Sequence, residues 1–184
     1  MLEVYPKQIT LKDGSNLTLR PMTRDDQYAL YNFFTSLSEE DRRFLRNDVT
    51  DRKLIEAWAR NLDYDKILPI LAEGDGKIVA NATLHFQTFG WGRHLAEIRL
   101  SIAQEFQGRG LGFLMLEEMS RLAQEHQVKH LLARIVTFRQ GAIKAFQKAG
   151  FTQVSVLKNF VKDVLHQSYM DIALLVKELN GAKA

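Results

Sequence analysis

The segment Gln107-Gly108-Arg109-Gly110-Leu111-Gly112 constrains the fold of this chain more than any other. It lies between a strand pattern at residues 95–102 and an amphipathic helix pattern at residues 111–126. A strand that turns directly into a helix leaves main-chain N–H groups at the helix N-terminus without partners. Glycines there permit positive φ angles and let an anion approach the main chain, and Arg109 would add a positive charge. The segment therefore predicts a phosphate or pyrophosphate site at the start of a helix.

Two common phosphate-binding loops do not fit this segment. The P-loop of nucleotide hydrolases would end in Gly-Lys-Ser or Gly-Lys-Thr, whereas this loop continues Gly112-Phe113-Leu114. A dinucleotide-binding fingerprint that starts at Gly108 or Gly110 would need a third glycine where Phe113 or Met115 stands. A glycine-rich turn that binds no ligand is the alternative.

Hydrophobic periodicity divides the rest of the chain into strands and helices. Strands are predicted at residues 8–12, 17–20, 67–73, 77–87, 95–102, 130–136, 152–160 and 169–176. Helices are predicted after Thr23, at 39–45 after Ser38, and at 51–62, 111–126 and 140–149. The central strand-helix-strand unit favours a parallel pair with antiparallel neighbours. We therefore expect an α/β (α+β) fold, in which helices flank a mixed, mostly antiparallel sheet.

Length and cysteine content narrow the class of protein. A chain of 184 residues favours a single domain, in which we expect residues 181–184 to form a frayed tail. The chain has no cysteine, which excludes disulfides, thiolate metal sites and a cysteine nucleophile. This composition agrees with a reducing compartment, and we expect a cytoplasmic location.

Charge and apolar patterning argue against several partners. No stretch approaches about 18 consecutive apolar residues, so no membrane partner is expected. The formal net charge is only +3, and Arg42, Arg43 and Arg46 beside Phe44 favour a solvated helix face over a nucleic-acid site. No metal-ligand spacing such as His-Glu-x-x-His occurs, so no metal is expected.

The element order and two motifs resemble the GCN5-related N-acetyltransferase (GNAT) superfamily over nearly the whole chain. Residues 107–112 match its Gln/Arg-x-x-Gly-x-Gly/Ala motif for acetyl-CoA. About thirty residues on, Arg139, Ala142-Ile143, Phe146, Lys148 and Gly150-Phe151 follow the pattern Asn-x-x-Ala-Ile-x-x-Tyr-x-Lys-x-Gly-Phe. Leu19-Arg20-Pro21 and Leu37-Ser38-Glu39-Glu40 are also similar to bacterial and archaeal protein-lysine acetyltransferase domains.

The resemblance implies acetyl-CoA as cosubstrate, held in a cleft where the strands at 95–102 and 130–136 separate. Its pantetheine arm would bond to the main chain of Leu100, Ser101 and Ile102, and its pyrophosphate to the amides of residues 108–112. Gln107, Arg139 and Phe146 would complete the cofactor site. Arg139 replaces the family asparagine, and Phe146 replaces the tyrosine that serves many members as general acid.

Two residues are candidate catalytic bases. Glu97 stands where the histone acetyltransferase branch of the family has its general base, and alternation puts it on the polar strand face with Arg99 and Ser101. His85 has an ordinary pKa suited to proton transfer near neutrality. A surface carboxylate and a half-exposed strand histidine are the alternatives.

We therefore expect an N-acetyltransferase that acts on a primary amine of a protein lysine, a protein N-terminus or a small molecule. A non-catalytic acyl-CoA-binding regulatory module is the alternative, because Phe146 cannot donate a proton. We expect the first helices and the loops at residues 88–93 and 158–168 to determine which amine the protein accepts. Possible pocket walls are the aromatic residues Phe33, Phe34, Trp58, Phe89 and Trp91. The oligomeric state cannot be inferred from the sequence.

Overall fold

The predicted strands pair into one mixed sheet. The computed structural model describes residues 2–163 and 166–179. Within these residues, eight strands pair in the order β1-β2-β3-β4-β5-β6-β8-β7. Their bounds are β1 Lys7–Thr10, β2 Asn16–Pro21, β3 Ile67–Gly74, β4 Lys77–Phe86, β5 Leu95–Ile102, β6 His130–Val136, β7 Thr152–Asp163 and β8 Ser168–Glu178. The expected tail at 181–184 and part of the loop at 158–168 lie outside the described residues.

Strand directions confirm the expected mixed sheet. Neighbouring strands are antiparallel except for β5 and β6, which are parallel because a helix crosses over between them. The last strand, β8, enters between β6 and β7 and pairs with both of them. The sequence did not reveal this insertion, because it brings together segments that are far apart along the chain.

Five α-helices occur in the described part of the chain, and the four longer ones pack on the two faces of the sheet. They are α1 Gln27–Ser36, α2 Glu39–Arg42, α3 Arg52–Arg60, α4 Leu111–Glu125 and α5 Gln140–Lys148. The expected caps are present: the Asp41 amide donates to the Ser38 hydroxyl at 3.0 Å, and Thr23 opens a short 3-10 turn before α1. In the part of the chain that is described, no helix has the length and apolar character needed to cross a bilayer.

Two hydrophobic layers hold the helices against the sheet. On one face, Met115, Leu116 and Met119 of α4 are fully buried against β-strand residues such as Ala96 and Ile98. The opposite face is covered by α1 and α3, with buried residues that include Leu30, Phe33, Phe34, Ile55 and Leu71. Because side chains alternate along a strand, even-numbered residues of β5 face α4 and odd-numbered ones face the other side.

A buried carboxylate fastens the N-terminal strand to α4. Glu118 is 5% exposed and accepts hydrogen bonds from the Tyr5 hydroxyl at 2.6 Å, the Lys7 ammonium at 2.6 Å and the Arg121 guanidinium at 2.7 Å. Burial alone would raise the pKa of Glu118, but these bonds outweigh it and hold the pKa at about 2. The ionised form is therefore the one that stabilises the fold.

Replacing Glu118 with glutamine should destabilise the protein by about 3 kcal/mol at neutral pH, since Lys7 and Arg121 lose a buried charge partner. The folded pKa lies below the usual 4.5, so this stabilisation is present above pH 4.5 and is lost as the pH falls towards about 2. Urea unfolding of both proteins at several pH values measures this difference. Glu125→Gln is the control, because Glu125 is more exposed and its ion pair among the described residues is with Arg121. A difference between Glu118→Gln and wild type that stayed constant with pH would contradict the prediction.

Candidate functional site

The parallel ladder between β5 and β6 ends early. Only Leu95, Ala96 and Glu97 of β5 pair with β6, and their partners are His130, Leu131 and Leu132. Beyond them, β6 continues to pair with β8, as far as Val136 with Ile172. Within residues 2–163 and 166–179, no strand therefore pairs with the β6-facing edge of β5 over residues 98–102, and this edge is called open. An open edge offers main-chain groups that an extended ligand can pair with.

The glycine loop lies directly beside this opening. Gly108 and Gly110 have φ angles of 74° and 93°, a region that residues with a side chain rarely adopt. A Cβ atom added to Gly112 would lie 3.2 Å from the Ile102 side chain, so the first turn of α4 packs closely on the end of β5. Among the described residues, the main-chain amides of 108–113 have no hydrogen-bond acceptor. Together with the helix dipole, they form an anion site at the open end of the strand.

Two side chains of the loop are engaged within the protein. The Gln107 amide donates to the Ile102 carbonyl at 3.1 Å and joins the loop to the strand end. The Arg109 guanidinium forms an ion pair with Asp13 and donates to the Ser15 hydroxyl at 2.6 Å. Hydrogen bonds from Ser15, with the charge of Arg109, lower the pKa of Asp13 to about 2. The Asp13 carboxylate thus lies against the positive charge that Arg109 was expected to add beside the anion, and a contact between Arg109 and a bound anion stays a prediction.

The two residues that depart from the family pattern in the second motif, Arg139 and Phe146, are also engaged within the protein. Arg139 stands at the N-cap of α5 and forms an ion pair with Asp41 of α2. Phe146 is buried and packs against Phe151, with ring centroids 5.0 Å apart and an angle of 71° between the rings. Phe146 therefore contributes an edge-to-face aromatic contact, and no hydroxyl, at the sequence position of the family tyrosine. The contacts of both residues with a cofactor remain predictions.

The predicted polar strand face exists on the side of the sheet that carries α1 and α3. Three residue pairs stand opposite one another on β4 and β5 in adjacent rows, namely Asn81 with Ser101, Thr83 with Arg99, and His85 with Glu97. The residues that alternate with them, such as Leu84 and Ile98, are buried on the opposite face. This surface is named here the polar face.

Glu97 is bound by arginines from two other parts of the chain. Arg46, which follows α2, donates to both carboxylate oxygens, with the bond to Oε2 at 2.9 Å. Arg134 of β6 also donates to both oxygens, at 3.1 and 2.8 Å. Arg99, on the same strand as Glu97, approaches to 3.7 Å. These three residues, Arg46, Arg99 and Arg134, are named here the arginine cluster.

The arginine cluster changes the proton affinity of Glu97. Burial alone would raise the pKa of this carboxyl group, but the bonds from Arg134 and Arg46 and their charges lower it to about 2. Glu97 is therefore ionised at any ordinary pH and binds protons weakly. Its role as a general base stays a prediction, and that role would require the arginine bonds to open first.

His85 lies half-buried next to Glu97, with its Nε2 atom 3.0 Å from the Thr83 hydroxyl oxygen. Burial and the nearby charge of Arg99 lower the pKa of His85 to about 4. The imidazole is therefore neutral near pH 7, but it is a weaker base than the sequence suggested. Its catalytic role also stays a prediction.

The arginine cluster was not predicted from the sequence. Arg42, Arg43 and Arg46 were interpreted as a solvated helix face, but Arg42 donates to the Leu37 carbonyl, Arg43 pairs with Asp163, and Arg46 binds Glu97. The helix was expected to continue to residue 45, but it ends at Arg42, and Arg46 lies outside it. The sequence offered one signal of this cluster: Glu97 and Arg99 are two residues apart on a predicted strand, so their side chains lie on the same face of the sheet.

Two of the expected pocket walls lie in the core, and two are fully accessible. Phe33 and Phe34 are buried, and Trp58 packs edge-on against Phe34. Phe89 and Trp91, in the loop between β4 and β5, are 87% and 89% exposed.

Residues 2–163 and 166–179 contain no group of three or more histidine and carboxylate side chains that could hold a metal ion.

Comparison with known proteins identifies the same fold. The GNAT domain of S. lividans PAT superposes with a TM-score of 0.77, at 22% identity, over 94% of this chain and 96% of that one. A putative acetyltransferase from Salmonella typhimurium, yncA, whose structure contains acetyl-CoA, superposes with a TM-score of 0.75 at 20% identity, over 92% and 98% of the two chains. These likenesses show the fold.

Sequence comparison identifies the family. A curated relative, the acetyltransferase Pat of Mycolicibacterium smegmatis, is 26% identical over 151 residues, which are 80% of this chain. The matched part spans only 44% of the length of that relative. The sequence profile of the acetyltransferase (GNAT) family matches residues 29–151, from within α1 to the last residue before β7. With the open strand edge and the free amides of the glycine loop, this match shows that the chain belongs to the GNAT acetyltransferase family.

Proposed function

We propose that this chain transfers the acetyl group of acetyl-CoA to a primary amine. The observation that carries the proposal is the set of free amides at 108–113 beside the open edge of β5. A diphosphate fits the amides, and an extended pantetheine arm fits the strand edge. Family membership and the acetyl-CoA bound to the Salmonella typhimurium relative support the same cosubstrate.

The reaction would be a direct transfer. The amine nitrogen attacks the thioester carbonyl, the carbon–sulfur bond breaks, and the coenzyme leaves as a thiolate that takes up one proton. The amine loses one proton in return. The acceptor approaches from the polar face, since α4 fills the opposite side of β5 with buried side chains. A thiol with a pKa near 8.5 is a tolerable leaving group without an acid at Phe146.

The pKa values decide how the amine loses its proton. A lysine-like ammonium has a pKa near 10.4, so its deprotonation by solvent at pH 7.4 costs roughly 4 kcal/mol. Transfer of that proton to a carboxylate with a pKa of about 2 would cost roughly 11 kcal/mol. The solvent route is the cheaper one while the arginine cluster holds Glu97. The same positive charges lower the pKa of a nearby ammonium and so favour the neutral amine.

A non-catalytic acyl-CoA-binding module is the second candidate, because the hydroxyl expected at position 146 is absent. Release of free thiol from acetyl-CoA in the presence of a panel of amines separates the two. Turnover with any amine supports the enzyme, whereas binding of acetyl-CoA without turnover on any amine supports the module.

The cosubstrate site can be tested with a matched pair of glycine substitutions. Gly108→Ala and Gly76→Ala place a side chain at φ angles of 74° and 71°, and a new Cβ meets no atom within 4 Å at either position. Both variants should therefore lose similar stability, about 1 kcal/mol. Only Gly108→Ala, in the loop, should weaken acetyl-CoA binding in calorimetric titration, by roughly tenfold or more. Equal affinity in both variants would show that the cosubstrate binds elsewhere.

The role of Glu97 can be tested through the pH dependence of kcat/KM. With Glu97 and His85 at pKa values of about 2 and 4, neither group should titrate between about pH 5.5 and 8. The rate should instead rise with pH according to the pKa of the acceptor amine. Glu97→Gln should retain acetyl-CoA binding and lose less than about a hundredfold in rate.

Arg46→Gln is the companion variant, because it removes two bonds from Glu97 and keeps the carboxylate. A larger loss in Glu97→Gln, with a faster reaction in Arg46→Gln, would show instead that Glu97 is the base and that Arg46 restrains it.

A further inference from the structure

The polar face carries more positive charge than its one carboxylate can neutralise. Arg46 and Arg134 bind both oxygens of Glu97 and satisfy it. Arg99 reaches the same carboxylate only at 3.7 Å. Three guanidinium groups against one carboxylate leave an excess of two positive charges in this cluster. The neighbouring His85 is neutral near pH 7 and provides no counter-charge.

Arg99 is also incompletely bonded. Its Nε atom is buried and has no hydrogen-bond partner in the described part of the chain, although its side chain is 35% exposed. A buried donor without an acceptor is unfavourable, and most such groups in proteins are bonded to a side chain, a water molecule or a ligand. The exposed end of the guanidinium gives an anion access to Arg99.

A second polar group without a partner lies one row away on the same face. Asn81 stands opposite Ser101, next to the row in which Thr83 stands opposite Arg99. Its Oδ1 atom is buried and accepts no hydrogen bond from residues 2–163 or 166–179. In neighbouring rows, the polar face therefore holds a cationic group and a neutral acceptor, each with a buried atom that lacks a hydrogen-bond partner within the described residues. A small molecule that carries both an anion and an N–H group has the chemistry to pair with both residues.

We propose that the acceptor is a primary amine that also carries a carboxylate, with the carboxylate bound by Arg99 and the amine beside Asn81. This inference rests on the proposed acetyl transfer. A guanidinium and a carboxylate form paired, charge-assisted hydrogen bonds, and an amide oxygen accepts from an amine. Amino acids and acidic peptides with a free amine both have this chemistry.

The same charges disfavour other amines of the candidate classes. A polyamine, or a lysine among basic residues, would bring more positive charge to a surface that already has an excess. The single negative group there, Glu97, is engaged by Arg46 and Arg134 and is not free to bind a cation. Specificity would thus come from repulsion of polycations as well as from attraction of the carboxylate.

The test compares each amino acid with the primary amine that lacks only its carboxylate. Spermidine is included as a polyamine, and two peptides with one free amine each have an acidic or a basic sequence around it. Thiol release from acetyl-CoA gives kcat/KM for each. Acceptors with a carboxylate should be preferred by roughly tenfold or more. The amino acid and peptide arms identify the source of the carboxylate, and a preference in either arm supports the inference.

Arg99→Gln should reduce that preference roughly tenfold, through a higher KM for the carboxylate acceptor, and should retain the affinity for acetyl-CoA. Arg99→Lys should restore part of the preference for carboxylate acceptors, because lysine carries the positive charge but lacks the planar guanidinium that forms paired hydrogen bonds. Arg60→Gln removes an equal charge from an exposed position at the end of α3 and should leave the preference intact. A preference for spermidine would overturn the inference. So would an Arg99→Gln variant that loses kcat/KM equally for an amino acid and for the matching amine without the carboxylate.

A failure of the proposed function has a different signature. If no amine were acetylated, calorimetric titration of amino acids into the protein loaded with coenzyme A would still test the carboxylate site. Binding that is lost in Arg99→Gln would support the site in a protein that is not an enzyme. The absence of binding would overturn the inference together with the proposed function.

Discussion

The early end of the β5–β6 ladder is the constraint on which the rest of this site depends. After Leu132, β6 pairs onwards with β8 and no longer with β5, and the edge of β5 at residues 98–102 stays open. The free amides of 108–113 lie at the end of the same strand, because α4 packs on it through Gly112. A strand edge and a helix N-terminus thus come together at one place, where each can bind a different part of one extended ligand.

Electrostatics on the polar face determine what chemistry that opening can support. The bonds of the arginine cluster make Glu97 a permanent anion with little affinity for protons. While Arg46 and Arg134 donate hydrogen bonds to its carboxylate, Glu97 is too weak a base to take a proton from an ammonium group. In the proposed reaction, the excess of positive charge favours the neutral form of the amine, and no side chain has to abstract its proton. The same charge would attract the proposed acceptor through its carboxylate.

Local features of the fold were predictable from the sequence, since they depend on residues close together in the chain. The bounds of β5 and β6 were confirmed at 95–102 and 130–136, because period-two alternation is a property of each strand alone. The caps at Ser38 and Thr23 were found where short polar side chains precede a helix. The length of α2 was overestimated: the helix ends at Arg42, and Arg46 beyond it binds Glu97 of β5, which is a long-range contact that the local pattern does not encode.

Alternation, backbone freedom and motif spacing are local quantities, so the strand positions, the glycine turn, the side of β5 on which Glu97 lies and the family were predictable from the residues alone. The strand order and the charge state of the site depend on how distant segments meet in the folded protein. Arg46, Arg99 and Arg134 come from three separate segments, and Arg109 finds Asp13 nearly a hundred residues away. Electrostatic interactions depend on distance in space and on burial, and neither can be read from positions along the chain.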